Sequence, residues 1–151
     1  MVIKKLLILI GLSLSLFAND IIIKDSDFTV DETIENIKNI INQAAKNEKG
    51  LAVVTVIDHK KNASNVNMRL NESKVIIFGN PIVGTLLMQE DMTIALDLPL
   101  RILVYSNDDN ETKVAYRDGS WIKSHHFLQE ANLVNKVDEV LDDITDKACN
   151  K

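Results

Sequence analysis

The chain has 151 residues, with 17 Lys and Arg against 22 Asp and Glu, for a net charge of −5. That length suits one domain, and a hydrophobic share of 46% is too high for a disordered chain. The acidic balance argues against a nucleic-acid surface, and a single cysteine excludes an internal disulfide or a zinc site built on cysteine pairs.

Residues 1–18 have the order of a secretory signal. Lys4 and Lys5 precede the apolar run 6–17, and Ala18 stands before polar Asn19 and Asp20. The run is shorter than the roughly 20 residues a membrane span needs. No cysteine follows it, so lipid anchoring there is not expected. The expectation is export to the periplasm or beyond, cleavage near Ala18, and no stable membrane anchor afterwards. An uncleaved anchor is the alternative. Residues 19–151 read as one domain, without repeat, linker or low-complexity segment.

Along that domain, the β-branched run 21–24 predicts a strand. Thr29 and Glu32 fit a capping box, and Ile34, Ile37, Ile40, Ile41, Ala44 and Ala45 recur at helical spacing. The helix is placed at 30–48, before Gly50. Residues 51–57 predict a strand and 59–64 a polar loop, with a short helical turn possible up to Leu70. A strand at 74–78 runs into the turn signal Gly79-Asn80-Pro81, and Pro81 suits the first position of a helix over 82–92. Asp97-Leu98-Pro99 breaks the pattern. Strands at 100–106 and 112–117 form a hairpin around the polar turn 107–110, and Asp118-Gly119 ends it. Apolar spacing from Leu133 to Ile144 predicts a last helix over 130–147. Strands clustered between helices indicate an α+β fold, with an antiparallel sheet covered on one face by helices.

The middle of the chain resembles the DUF302 family, whose function is unknown. The likeness rests on several strings in order: Ile57-Asp58-His59, then 75–81 (VIIFGNP), then 84–89 (GTLLMQ), then 95–105 (ALDLPLRILVY). It spans about residues 28–128. Family members often carry an Arg-His-Gly segment after the last strand, where this chain has Ser124-His125-His126-Phe127. The resemblance implies a TBP-like α+β fold of order β-α-β(4)-α, with the 82–92 helix as an insertion. It implies no activity.

The candidate site residues each have two readings. Phe78-Gly79-Asn80-Pro81 lies between a strand and a helix, where backbone N–H groups would hold an anion. It also reads as a simple tight turn, with a proline that has no N–H to give. Arg101 interrupts an apolar strand. It pairs with Asp97, or it anchors a ligand carboxylate or phosphate. Met88, with Leu86, Leu87, Met92 and Ile94, lines an apolar pocket, forms a dimer interface, or is core. His59 beside Asp58 is a weak candidate general acid or base. His125 and His126 are weak candidate metal ligands, but adjacent histidines diverge on a regular element. Cys149 reads as a frayed tail residue.

The favoured function is a small exported binding or accessory domain, with no cofactor implied. It would pair as a homodimer and take a small apolar or anionic ligand at Phe78–Pro81, Met88 and Asp97–Arg101. One alternative is an enzyme with His59 as acid or base and Arg101 holding an anionic substrate. Another is a metal or haem carrier. Being an enzyme is the less favoured class, since no nucleophile motif or cofactor fingerprint is present.

Overall fold

A computed structural model describes residues 21–129 and 131–151. The secretory signal and its cleavage point lie outside the described residues. Five antiparallel strands form one sheet in the order β1-β5-β4-β3-β2. They are β1 (Ile22–Ser26), β2 (Ala52–Asp58), β3 (Ser73–Gly79), β4 (Leu100–Ser106) and β5 (Thr112–Tyr116). Two long helices, α1 (Val30–Ala44) and α5 (Ala131–Cys149), pack on each other and on one face of the sheet. Three short helices are inserted: α2 (His59–Asn65), α3 (Pro81–Glu90) and α4 (Gly119–His125). Without them the order is β-α-β(4)-α, as the resemblance implied.

The period-2 burial of the strands decides which face is covered. Ile76 and Phe78 of β3, Ile102 and Val104 of β4, and Val114 of β5 are fully buried. They meet Ile34, Ile37 and Ile41 of α1, and Val137, Leu141 and Ile144 of α5. Each such side chain contributes roughly 1.5–3 kcal/mol by leaving water. The intervening strand residues face the other way, onto a surface that none of the long helices covers.

Local chemistry sets the helix starts. The Thr29 side chain accepts from the Glu32 N–H, and the Glu32 carboxylate accepts from the Thr29 N–H, completing the capping box. The helix stops at Ala44, earlier than the expected 48, and the chain then turns toward Gly50, whose φ of 94° suits glycine.

Two helices were absent from the sequence reading. Residues 59–64 were expected to be loop but form α2, because the Asp58 carboxylate caps the Lys61 N–H at 2.8 Å. Asp118-Gly119 was expected only to end a strand. Instead Asp118 accepts from the Trp121 N–H at 2.8 Å and opens α4. The expected 82–92 helix is split. α3 ends at Glu90, and Asp91 caps a separate 3-10 helix at Met92–Leu96. Cys149 is not a frayed residue. It ends α5 with 2% exposure, against the core.

Candidate functional site

The ligand-site residues expected from the sequence, Phe78–Pro81, Met88, Asp97 and Arg101, fall into two hollows on either side of the sheet end. The larger is a cleft of about 840 Å³ between α3 and α5. Phe78, Gly79, Asn80 and Pro81 line it from the β3–α3 junction, and Leu87 and Met88 from α3. Leu98, Pro99 and Leu100 close one side, and Val137 and Val140 of α5 the other. The Leu98–Pro99 peptide is cis. Lys136 and Glu139 of α5 and Glu48 supply charge among these lining groups. An apolar hollow of this size with few polar groups is the usual composition of a small-molecule site.

The Asn80 side chain is engaged locally in the Phe78–Pro81 turn. Asn80 uses its side-chain oxygen to cap the Ile82 N–H at 3.0 Å and its amide nitrogen to reach the Lys49 carbonyl at 3.2 Å. Pro81 has no N–H. This segment therefore shapes the cleft wall.

Asp97 and Arg101 line the second hollow, a depression of about 280 Å³ on the uncovered sheet face. Val75, Leu103 and Ala115 make its floor, and Trp121 and Ile122 of α4 rise at its side. Arg117 lies there too. It follows Tyr116, the partner of Ile102, so it stands opposite Arg101 across the end of the β4–β5 pairing. One Asp97 oxygen, Oδ1, serves both guanidiniums, at 3.4 Å from Arg101 and 4.0 Å from Arg117. The other, Oδ2, accepts from His126 Nε2 at 2.8 Å.

His126 is the hub behind this depression. Its side chain is 6% exposed and lies between Asp97 and Asp91, with Nδ1 3.7 Å from the Asp91 carboxylate. Nδ1 also lies 3.2 Å from the Thr93 hydroxyl. That hydroxyl donates to Asp91 at 2.6 Å, alongside the Thr93 N–H that the same carboxylate caps. Hydrogen bonds from the Thr93 hydroxyl, the Phe127 N–H and the Thr93 N–H hold the Asp91 carboxyl down to a pKa of about 2. His125 points elsewhere and stacks on Trp121 at 4.2 Å between ring centroids. The two histidines therefore share no site, and among the described residues no group of three His, Cys, Asp or Glu is placed to hold a metal.

His59 opens α2, past the far end of β2 from Arg101. Arg101 is level with Ile77 and Thr55 across the sheet, which puts His59 about 13 Å further along the strand direction. The neighbouring Asp58 carboxylate is engaged by the Lys61 N–H and by Lys74. The structure does not bring His59 and Arg101 together. Arg117, Trp121 and Asp91 were missed from the sequence. An arginine closing a strand directly after Tyr116, and the single tryptophan two residues past Asp118-Gly119, were the signals available.

Fold and hollows together define a small α+β domain, a five-stranded antiparallel sheet with one helical layer and an apolar cleft inside that layer. The chain belongs to the DUF302 family, a domain of unknown function, which it matches over residues 22–148. It is similar to a crystal structure of an uncharacterized conserved DUF302 protein from Bacillus stearothermophilus. That similarity has a TM-score of 0.73 and 16% identity, over 87% of this chain and 99% of that one. It is 33% identical over 114 residues to a protein named fluoride-specific ion channel FluC 1 of Brucella suis biovar 1, covering 76% of this chain and 43% of that protein. A protein of the same name from Brucella abortus biovar 1 is also 33% identical, with 40% of its length covered. The chain thus spans less than half the length of these relatives. Among the described residues, no helix is long and apolar enough to cross a membrane.

Proposed function

We propose that this is a non-enzymatic binding or accessory domain that holds a small apolar molecule in the α3–α5 cleft. The observation that carries this reading is the cleft itself, about 840 Å³ with walls from Phe78, Leu87, Met88, Val137 and Val140. That volume lies within the usual range for ligand sites, roughly 300–1,000 Å³. The Brucella relatives carry the matching segment within longer chains, which supports an accessory role.

The test uses the neutral dye N-phenyl-1-naphthylamine, whose emission rises in apolar surroundings. Saturable enhancement is expected, weakened at least tenfold by Val140→Trp, which fills the cleft, with circular dichroism unchanged. No saturable enhancement, or a Val140→Trp variant that binds as the parent does, overturns the reading. Native mass spectrometry of the purified chain, run beside a denatured sample, would weigh any carried molecule.

Two further parts of the reading are also proposals. Export rests on the order of residues 1–18, and N-terminal sequencing of periplasmic protein is expected to begin at Asn19. Pairing of two copies is supported by an outward apolar patch. Ile82 and Leu86 of α3, Met92 and Leu96 of the 3-10 helix, and Phe127 are between 45% and 82% exposed.

A further inference from the structure

We infer that the depression on the uncovered sheet face is a second ligand site, which takes a small oxyanion, a carboxylate or a phosphate, carried on a flat apolar body. It is separate from the α3–α5 cleft and does not depend on that cleft being occupied.

Charge imbalance is the first argument. Arg101 and Arg117 stand opposite each other, an arrangement that costs stability unless an anion lies between them. The anion present is Asp97, and it is a poor counter-ion for two arginines. Its Oδ2 is taken by His126 at 2.8 Å. Its Oδ1 is shared at 3.4 and 4.0 Å, long for a charge-assisted pair. Each guanidinium has five N–H donors. Among the described residues, the guanidiniums' further contacts are a hydrogen bond from Arg101 to the Asp97 carbonyl, also at 3.4 Å, and the stacking of Arg117 on Trp121. Both side chains stay about half exposed, at 47% and 51%. A chain of net charge −5 therefore presents two under-used cationic forks side by side. A carboxylate or phosphate accepts such forks in bidentate fashion.

Shape is the second argument. The floor of Val75, Leu103 and Ala115 is apolar, and the hollow holds about 280 Å³, room for one ring and its head group. The Arg117 guanidinium lies 4.2 Å from the Trp121 ring centroid. Trp121 in turn stacks on His125. This stack fixes the plane of Arg117 beside the floor before any ligand arrives, which lowers the ordering cost of binding. Asp97 serves as a positioning residue, held by His126 and pointing its second oxygen at both arginines.

The chain's single tryptophan, Trp121, is the reporter. Phenyl phosphate, benzoate and inorganic phosphate are titrated into the full chain by tryptophan emission and by calorimetry. The expected result is saturable binding of phenyl phosphate or benzoate at millimolar concentration or below, with inorganic phosphate at least tenfold weaker. The tighter of the two aryl ligands identifies the head group. Arg101→Gln and Arg117→Gln are each expected to weaken binding at least tenfold with circular dichroism unchanged. Arg117→Lys keeps the charge and loses the planar fork, and is expected to bind more weakly than the parent. Affinity should fall as salt rises, and Val140→Trp should leave it unchanged.

Three outcomes overturn the inference. The first is no saturable binding of either aryl ligand up to about 10 mM. The second is binding that both Arg variants retain in full, and the third is inorganic phosphate bound as well as the aryl ligands. Sedimentation covers the rival occupant. A dimer that dissociates in Arg117→Gln, with no ligand bound by the parent, assigns the two arginines to a second copy and also overturns it.

Discussion

Single residues in this domain are decided by what surrounds a charge more than by the charge itself. Asp91 caps the 3-10 helix, receives the Phe127 N–H at 3.0 Å and stands behind His126. Its folded pKa of about 2 lies below the ordinary 3.8. The depressed value means Asp91 stabilises the fold above about pH 4, and that contribution disappears as pH falls through about 2. Asp91→Ala is expected to lower the thermal midpoint at pH 7 and to approach the parent as pH falls from 4 to 2. A melting difference that does not change with pH would show that the carboxylate's charge is not what matters. Cys149 shows the opposite environment. Burial pushes its thiol upward, with only partial relief from the neighbouring Ser26 hydroxyl. A buried thiol of raised pKa is a poor nucleophile.

At the scale of elements, side-chain caps and one close approach fix how the short helices meet the long ones. Gly119 begins α4 directly against α5. A Cβ there would lie 2.6 Å from the Val134 carbonyl oxygen and 2.9 Å from its Cγ1. The Gly119 N–H is tied to the Asp138 carboxylate of α5 at 2.5 Å. Gly119→Ala is expected to cost about 1–3 kcal/mol in chemical denaturation, because α4 must move off α5. A loss below about 0.5 kcal/mol would mean the two helices part easily. Gly84 is a contrast, since a Cβ there meets only Leu98 Cδ1 at an ordinary 3.7 Å. The edge strand β1 is fastened to α5 by Lys24, which reaches Asp142 at 3.1 Å and Asp146 at 2.7 Å. Burial lowers the Lys24 pKa, but hydrogen bonds to Asp146, Tyr116 and Asp142 outweigh that effect and hold the ammonium charged.

At the scale of the molecule, one sheet separates two kinds of surface. Helices cover one face and leave the α3–α5 cleft in their layer. On the other, Ile23, Ala115, Leu103, Val75 and Ile57 form an apolar row across all five strands. Lys113, bound to Asp25 at 2.5 Å and Glu111 at 2.8 Å, puts charge on one side of the row. Arg101 and Arg117 put it on the other. The register shift between Val53 and Thr55 makes the β2 edge irregular and a poor template for further pairing. If two copies pair through the α3 patch, Leu96→Asp at its most exposed residue, 82%, should convert a dimer to monomer in sedimentation without changing the melting midpoint. A parent that stays monomeric at about 100 µM would refute that pairing. The division between sequence and structure follows from how far apart the cooperating residues lie. Patterns within one element were legible. The α1 and α5 faces, the capping box, the start of α3 and the span of β4 all follow from period and cap chemistry, which act over a few residues. The family strings added the order of strands. α2 and α4 escaped because a single Asp cap on a short polar segment carries little apolar period. The splitting of the proposed site into two hollows was also hidden. Phe78 to Pro81 and Met88 face the helical layer, whereas Arg101 lies across the sheet from them. Arg117, Trp121 and His126 join Arg101 and Asp97 only through strand pairing and the placement of α4. Those contacts join residues up to 29 apart in the chain, and only the assembled sheet and the helix docked on it bring them to one place.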